Sequence, residues 1–170
     1  DGKTAAEVKE EIMGICLKER TEETVRIYFE KANTVEIKTV LPQKAKTVEE
    51  ALEDYQQTLL PGAASYGRTI WLDQTYVGDI WCYGIHLEEE PDAMISYCVF
   101  EEAFWRKGIA TEAVTIFLQE ISEKFQLETV GAFTFLNNVA SIRVLEKNGF
   151  ERKEVFEEEG RMSAYFQKKI

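Results

Sequence analysis

Val99-Phe100-Glu101-Glu102-Ala103-Phe104-Trp105-Arg106-Lys107-Gly108-Ile109-Ala110-Thr111 is the stretch on which the reading of this chain turns. Before it the pattern has the period of a strand. After Gly108 the apolar residues Ile109, Ala113, Ile116, Phe117 and Ile121 recur on one helical face. A strand, a loop and a long helix beginning at a glycine form a natural anion site. The first helical turn leaves backbone N–H groups unpaired, and the aligned peptide dipoles put partial positive charge there. Gly108 and Ala110 offer little side chain to obstruct an approaching ligand, while Arg106 and Lys107 add positive charge. A diphosphate suits these features. Taken alone, the segment reads first as a loop glycine beside a solvated Arg-Lys pair, since glycine before a helix is common.

Upstream, residues 4–12 form a charged helical opening and 15–18 a short strand. A helix over 21–32 starts at Thr21, with Thr24 where a capping box would place Glu. Thr47 is a better N-cap, with Glu50 three residues on and Val48, Ala51, Leu52 and Tyr55 on one face. Strands over 68–72 and 76–85 flank the turn Asp73-Gln74-Thr75, and a third over 93–100 follows the acidic loop 88–92. Downstream come a strand at 129–135 and a helix at 138–147 between Asn138 and Asn148-Gly149. Two strands, 150–156 and 163–169, follow. The order β-α-α-β-β-β-α-β-α-β-β predicts a mixed α+β sheet domain. With no internal linker or repeat, 1–170 reads as a single domain, residues 1–14 forming an N-terminal extension.

The second informative stretch is Asn137-Asn138-Val139-Ala140-Ser141-Ile142-Arg143-Val144-Leu145-Glu146-Lys147-Asn148-Gly149-Phe150. With it the chain resembles the GCN5-related N-acetyltransferases (GNAT), in particular the RimJ/RimL-like branch that acetylates ribosomal-protein N-termini. Trp105 to Ala113 is similar to the branch's W-G-K-G-Y-A-T-E-A, and Asn138 to Phe150 to its N-x-A-S-I-R-V-L-E-K-x-G-F. Val77-Gly78-Asp79-Ile80 is similar to its I-G-x-I and Ile95-Ser96-Tyr97 to its I-G-Y.

The resemblance implies a GNAT fold: a central, mostly antiparallel sheet, split at two parallel strands and flanked by helices. It implies acetyl-CoA as cosubstrate and no metal. Cys98 and Phe100 would lie on the strand that pairs with the pantetheine arm, and a main-chain N–H near Phe100 would polarise the thioester carbonyl. Arg106, Lys107, Gly108, Ile109, Ala110 and Thr111 would hold the pyrophosphate. Asn138 would touch the pantetheine arm, cap its own helix, or do both. Leu145 stands where many members carry a tyrosine general acid; Ser141 is the hydroxyl the branch offers instead, and is also readable as a first-turn residue of its helix. The base is open: Met94 replaces a glutamate found in histone-modifying members, leaving Asp79, His86 and Glu102 as candidates at strand ends.

The bulk composition bounds the function. Twenty basic residues against 31 acidic ones give a net charge of −11, which disfavours nucleic acid as a partner and suits a cationic one. No apolar run approaches the roughly 20 residues of a membrane span. Cys16, Cys82 and Cys98 are scattered and odd in number, and one histidine accompanies them, against both a disulfide scaffold and a Cys/His zinc site. Without the cationic-then-apolar form of an export leader, the expectation is cytoplasmic. The expected activity is acetyl transfer from acetyl-CoA to a primary amine, on a protein N-terminus or a small cationic amine, by direct attack in a ternary complex. The expected assembly is a monomer or homodimer. The alternative is an acyl-CoA-binding regulatory domain without significant turnover.

Overall fold

A computed structural model describes residues 14–105 and 107–170, so the helix expected over 4–12 lies outside the described residues. The first elements are β1 (Ile15–Glu19), α1 (Glu22–Ala32), α2 (Val35–Val40) and α3 (Val48–Thr58). Then come β2 (Tyr66–Leu72), β3 (Thr75–His86), β4 (Asp92–Val99) and a single 3₁₀ turn (Glu102–Phe104). The chain ends with α4 (Ile109–Phe125), β5 (Thr129–Phe135), α5 (Val139–Lys147), β6 (Glu151–Glu158) and β7 (Arg161–Lys169).

The capping signals act as the sequence suggests. Thr21 Oγ1 accepts from Thr24 N at 3.1 Å and Thr24 Oγ1 accepts from Thr21 N at 2.8 Å, so threonine completes the box in place of glutamate. Thr47 Oγ1 accepts from Glu50 N at 3.1 Å and starts α3. One helix was not expected. The six residues of α2 include Val35, Ile37, Thr39 and Val40, whose β-branched side chains disfavour a short helix. Burial decides there instead, since Ile37 is 2% exposed and packs with Ala32, Cys98 and Phe100.

The strands form one sheet in the order β1-β2-β3-β4-β5-β7-β6. Every neighbouring pair is antiparallel except β4 and β5. That is the architecture the sequence implied. The parallel pair runs only from Asp92↔Thr129 to Met94↔Gly131, after which the two strands part. A Cβ on Gly131 would stand 2.7 Å from both Met94 Sδ and Tyr165 Cε2, so the absent side chain lets those two close over the branch point.

The larger core lies between one face of the sheet (Ile80, Ile95, Val130, Phe166) and helices α4 and α5, through Ala113, Phe117, Ile121 and Leu145. Phe117 and Phe166 are fully buried, each contributing roughly 2–3 kcal/mol of apolar transfer. A smaller core, Ala32, Ile37, Cys98 and Phe100 ringed by Tyr28, Tyr76 and Trp81, seats α1 and α2 on the opposite face. Among the described residues no helix is long and apolar enough to cross a membrane.

Candidate functional site

Where β4 and β5 part, a cleft of about 1700 Å³ opens between them. Ile95, Tyr97 and Val99 of β4 line one wall, and Ala132, Phe133 and Phe135 of β5 the other. Phe100 N donates to Val77 O of β3 at 2.9 Å. Backbone direction alternates along a strand, so the N–H and C=O groups of Ile95, Tyr97 and Val99 turn away from β3 and toward the cleft. Beyond Met94 they face no strand partner on that side. This free edge can bind an extended amide-bearing chain as a further strand does.

The N-terminus of α4 also opens on the cleft. Gly108 is its N-cap, with φ 82° and ψ 2°, and nothing lies within 4 Å of the position a Cβ would take. Only glycine holds this left-handed conformation without strain. Gly108, Ile109, Ala110 and Thr111 line the cleft, as the anion-site reading requires. Lys107 does not; it is exposed, its Nζ 6.0 Å from the centroid of the Phe104 ring. Arg106 lies outside the described residues. Of the two strand residues, Cys98 lines the cleft and Phe100 does not. The Phe100 N–H is already paired, so the cleft-facing N–H groups are those of its neighbours. Burial pushes the Cys98 thiol up to about 12, with the Asp79 carboxylate adding to the effect, which leaves it an unreactive packing group.

Asn138 and Ser141 meet at the start of α5, and both line the cleft. Asn138 Oδ1 accepts from Ser141 N at 3.2 Å, so the capping role is real. Ser141 Oγ stands 2.8 Å from the hydroxyl of Tyr97, a bond from the free strand edge to the helix that no local pattern along the chain signals. Leu145, at the family's tyrosine position, is 1% exposed and belongs to the main core.

The three base candidates separate. Glu102 lines the cleft. His86 is exposed beside Asp92, Nδ1 to Oδ1 3.7 Å. Asp79 is not at a strand end: it is buried within β3, where Arg20 Nε donates to Oδ2 at 3.2 Å and the Tyr76 hydroxyl donates to Oδ1. Burial pushes its carboxyl up to about 6, with Arg20 and Tyr76 opposing. Glu157, Glu158 and Glu159, at the β6–β7 turn, also line the cleft. Beside them Arg161 stacks 3.5 Å over the Phe135 ring and donates from Nη1 to Thr39 O at 2.6 Å, tying the start of β7 to α2. Among the described residues no three His, Cys, Asp or Glu side chains gather as a metal site.

The family model for the acetyltransferase (GNAT) domain matches residues 14–151. No curated protein matches the chain in sequence. Among solved structures, RimL, a ribosomal L7/L12 alpha-N-protein acetyltransferase in complex with coenzyme A, is similar at TM-score 0.79 and 18% identity. That match covers 92% of this chain and 94% of the other. The Salmonella typhimurium acetyltransferase that modifies the N-terminal serine of ribosomal protein L7/L12 is similar at TM-score 0.78 and 16% identity, over 92% and 95%. The aminoglycoside acetyltransferase AAC(6')-Ib, in complex with coenzyme A, is similar at 0.75 and 20%, over 91% and 94%. At such identities the likeness is one of fold.

Proposed function

The chain belongs to the GNAT acetyltransferases, and we propose that it transfers the acetyl group of acetyl-CoA to a primary amine by direct attack in a ternary complex. The acceptor class is a protein N-terminus or a small cationic amine, the two kinds of substrate named for its structural neighbours. One observation carries the reading. A free strand edge, a helix N-terminus cleared by Gly108 and the Ser141 hydroxyl open on a single cleft.

Bound acetyl-CoA supplies an activated thioester carbonyl. The main-chain N–H groups of Gly108 to Thr111 receive its pyrophosphate, and the edge Ile95–Val99 receives the amides of its arm. The N–H groups of Tyr97 and Val99, rather than that of Phe100, are the donors placed to meet a carbonyl oxygen as it gains charge. Ser141 Oγ gives a proton to the departing sulfur. The amine arrives from the rim formed by Glu102 and Glu157 to Glu159. Alkyl amines are mostly protonated at neutral pH, so a carboxylate on that rim, or water beside it, takes the amine's proton. Residues 1–170 act as one domain with 1–14 as an extension, in the cytoplasm, as a monomer or homodimer.

Release of free CoA from acetyl-CoA, measured against a serine-starting peptide, spermidine and kanamycin, tests the reading. CoA release that depends on an amine supports transfer. Tight acetyl-CoA binding with no release in any mixture supports the second reading, an acyl-CoA-binding regulatory domain, which the burial of Leu145 favours.

A further inference from the structure

We propose that Tyr97 is a positioning residue for Ser141, its phenol donating to Ser141 Oγ so that the serine's own proton points into the cleft. This rests on Ser141 acting as the acid in the reading above. The hydroxyls are 2.8 Å apart, and Tyr97 Oη also lies 3.3 Å from Ser141 O. A phenol has one proton and Ser141 offers two acceptors, so the shorter approach takes it. Burial raises the Tyr97 phenol well above its ordinary range, with the Ser141 contact opposing, so it keeps a proton to donate throughout the pH range of activity. The serine N–H is already held by Asn138 Oδ1, fixing the first turn of α5 from the other side. With Ser141 Oγ accepting from Tyr97, its own proton is turned away from the phenol, on the side where Ser141 lines the cleft.

Two consequences follow. Accepting a hydrogen bond stabilises negative charge on the accepting atom, so Ser141 becomes a better acid than a free alcohol. The bond also ties α5 to the edge of β4 at the point where β4 has lost β5 as a partner. Tyr97 supplies both groups from one position, since its main-chain N–H faces the cleft while its side chain crosses to the helix.

The first test needs no turnover. Ser141→Cys in a Cys16→Ser background places a thiol beside Tyr97, and its iodoacetamide alkylation is followed against pH by peptide mass spectrometry. If Tyr97 donates, adding Tyr97→Phe raises the apparent pKa of that thiol by about one unit. Identical profiles with and without the phenol overturn the proposal. The second test uses whichever amine of the panel is acetylated. Tyr97→Phe lowers kcat about tenfold with acetyl-CoA affinity unchanged, and slows Ser141→Ala no further. Independent, multiplying losses mean a packing role for Tyr97 and overturn the proposal. Wild-type kcat in Ser141→Ala defeats the acid reading itself, whereas slow Ser141→Ala beside fast Tyr97→Phe and an unshifted thiol defeats only the role of Tyr97.

Discussion

The indole Nε1 of Trp105 donates to the main-chain carbonyl of Val99 at 2.8 Å, closing the six-residue turn that carries the chain from β4 toward α4. Val99 is the last residue of the free edge, and its carbonyl faces the cleft. The one donor of the Trp105 side chain is thereby paired with the main chain. We expect Trp105→Phe to remove the bond while keeping most of the packing, at a cost of about 1 kcal/mol, or a Tm lower by roughly 2–4 °C. Acetyl-CoA affinity should fall several-fold by calorimetry, because the turn aims the helix N-terminus. An unchanged affinity would make the bond purely structural.

Gly108 has open space where its side chain would be, but a left-handed backbone. Any replacement therefore carries strain on the order of 1 kcal/mol, whatever its size. Gly108→Ala and Gly108→Trp should lose similar stability in thermal unfolding. Only the tryptophan fills the space in front of the α4 N-terminus, so its Kd for acetyl-CoA should rise at least tenfold above that of the alanine variant. Equal affinities would remove the helix N-terminus from the cofactor site.

The buried carboxyl of Asp79 titrates at about 6 in the fold against an ordinary 3.8. A raised folded pKa means that the native state holds the proton more tightly than the unfolded chain. The associated stabilisation is complete below about 4 and is lost as pH rises through about 6. Its ceiling is on the order of 3 kcal/mol. The Tm of the wild type minus that of Asp79→Asn should therefore fall by several degrees between about pH 4 and pH 7. A difference that grows over that window would show the Arg20 and Tyr76 partners outweighing burial.

Four glutamates line the cleft: Glu102 from the 3₁₀ turn, and Glu157, Glu158 and Glu159 from the β6–β7 turn. Clustered carboxylates raise the local concentration of cations, and salt screens this over a Debye length of about 8 Å at physiological ionic strength. For a cationic acceptor, kcat/KM should fall several-fold as salt rises from about 0.02 to 0.5 M. Glu157→Gln/Glu159→Gln should flatten that dependence. A flat profile in the parent protein would leave the acidic rim to solubility alone.

The local parts of this protein are written in its sequence because local rules make them. Thr21, Thr47 and Asn138 cap their helices because a side-chain oxygen reaches an N–H within three residues. Gly108 opens α4 because glycine takes that left-handed backbone without strain, and the apolar period after it marks the buried face. The similarity of the two long motifs to a family then implied the sheet and its split. Tertiary structure decided what depends on distant pairs. Helix α2 exists against its own propensity because Ile37 finds Cys98 and Phe100, more than 60 residues away. Asp79 reads as a strand-end carboxylate, and becomes a buried ion partner only when Arg20 and Tyr76 close on it. Phe100, expected at the cofactor, spends its N–H on Val77. The bond from Tyr97 to Ser141 spans 44 positions and depends on how far β4 diverges from β5. No pattern along a chain encodes that angle, because the packing of α4 and α5 on the sheet sets it.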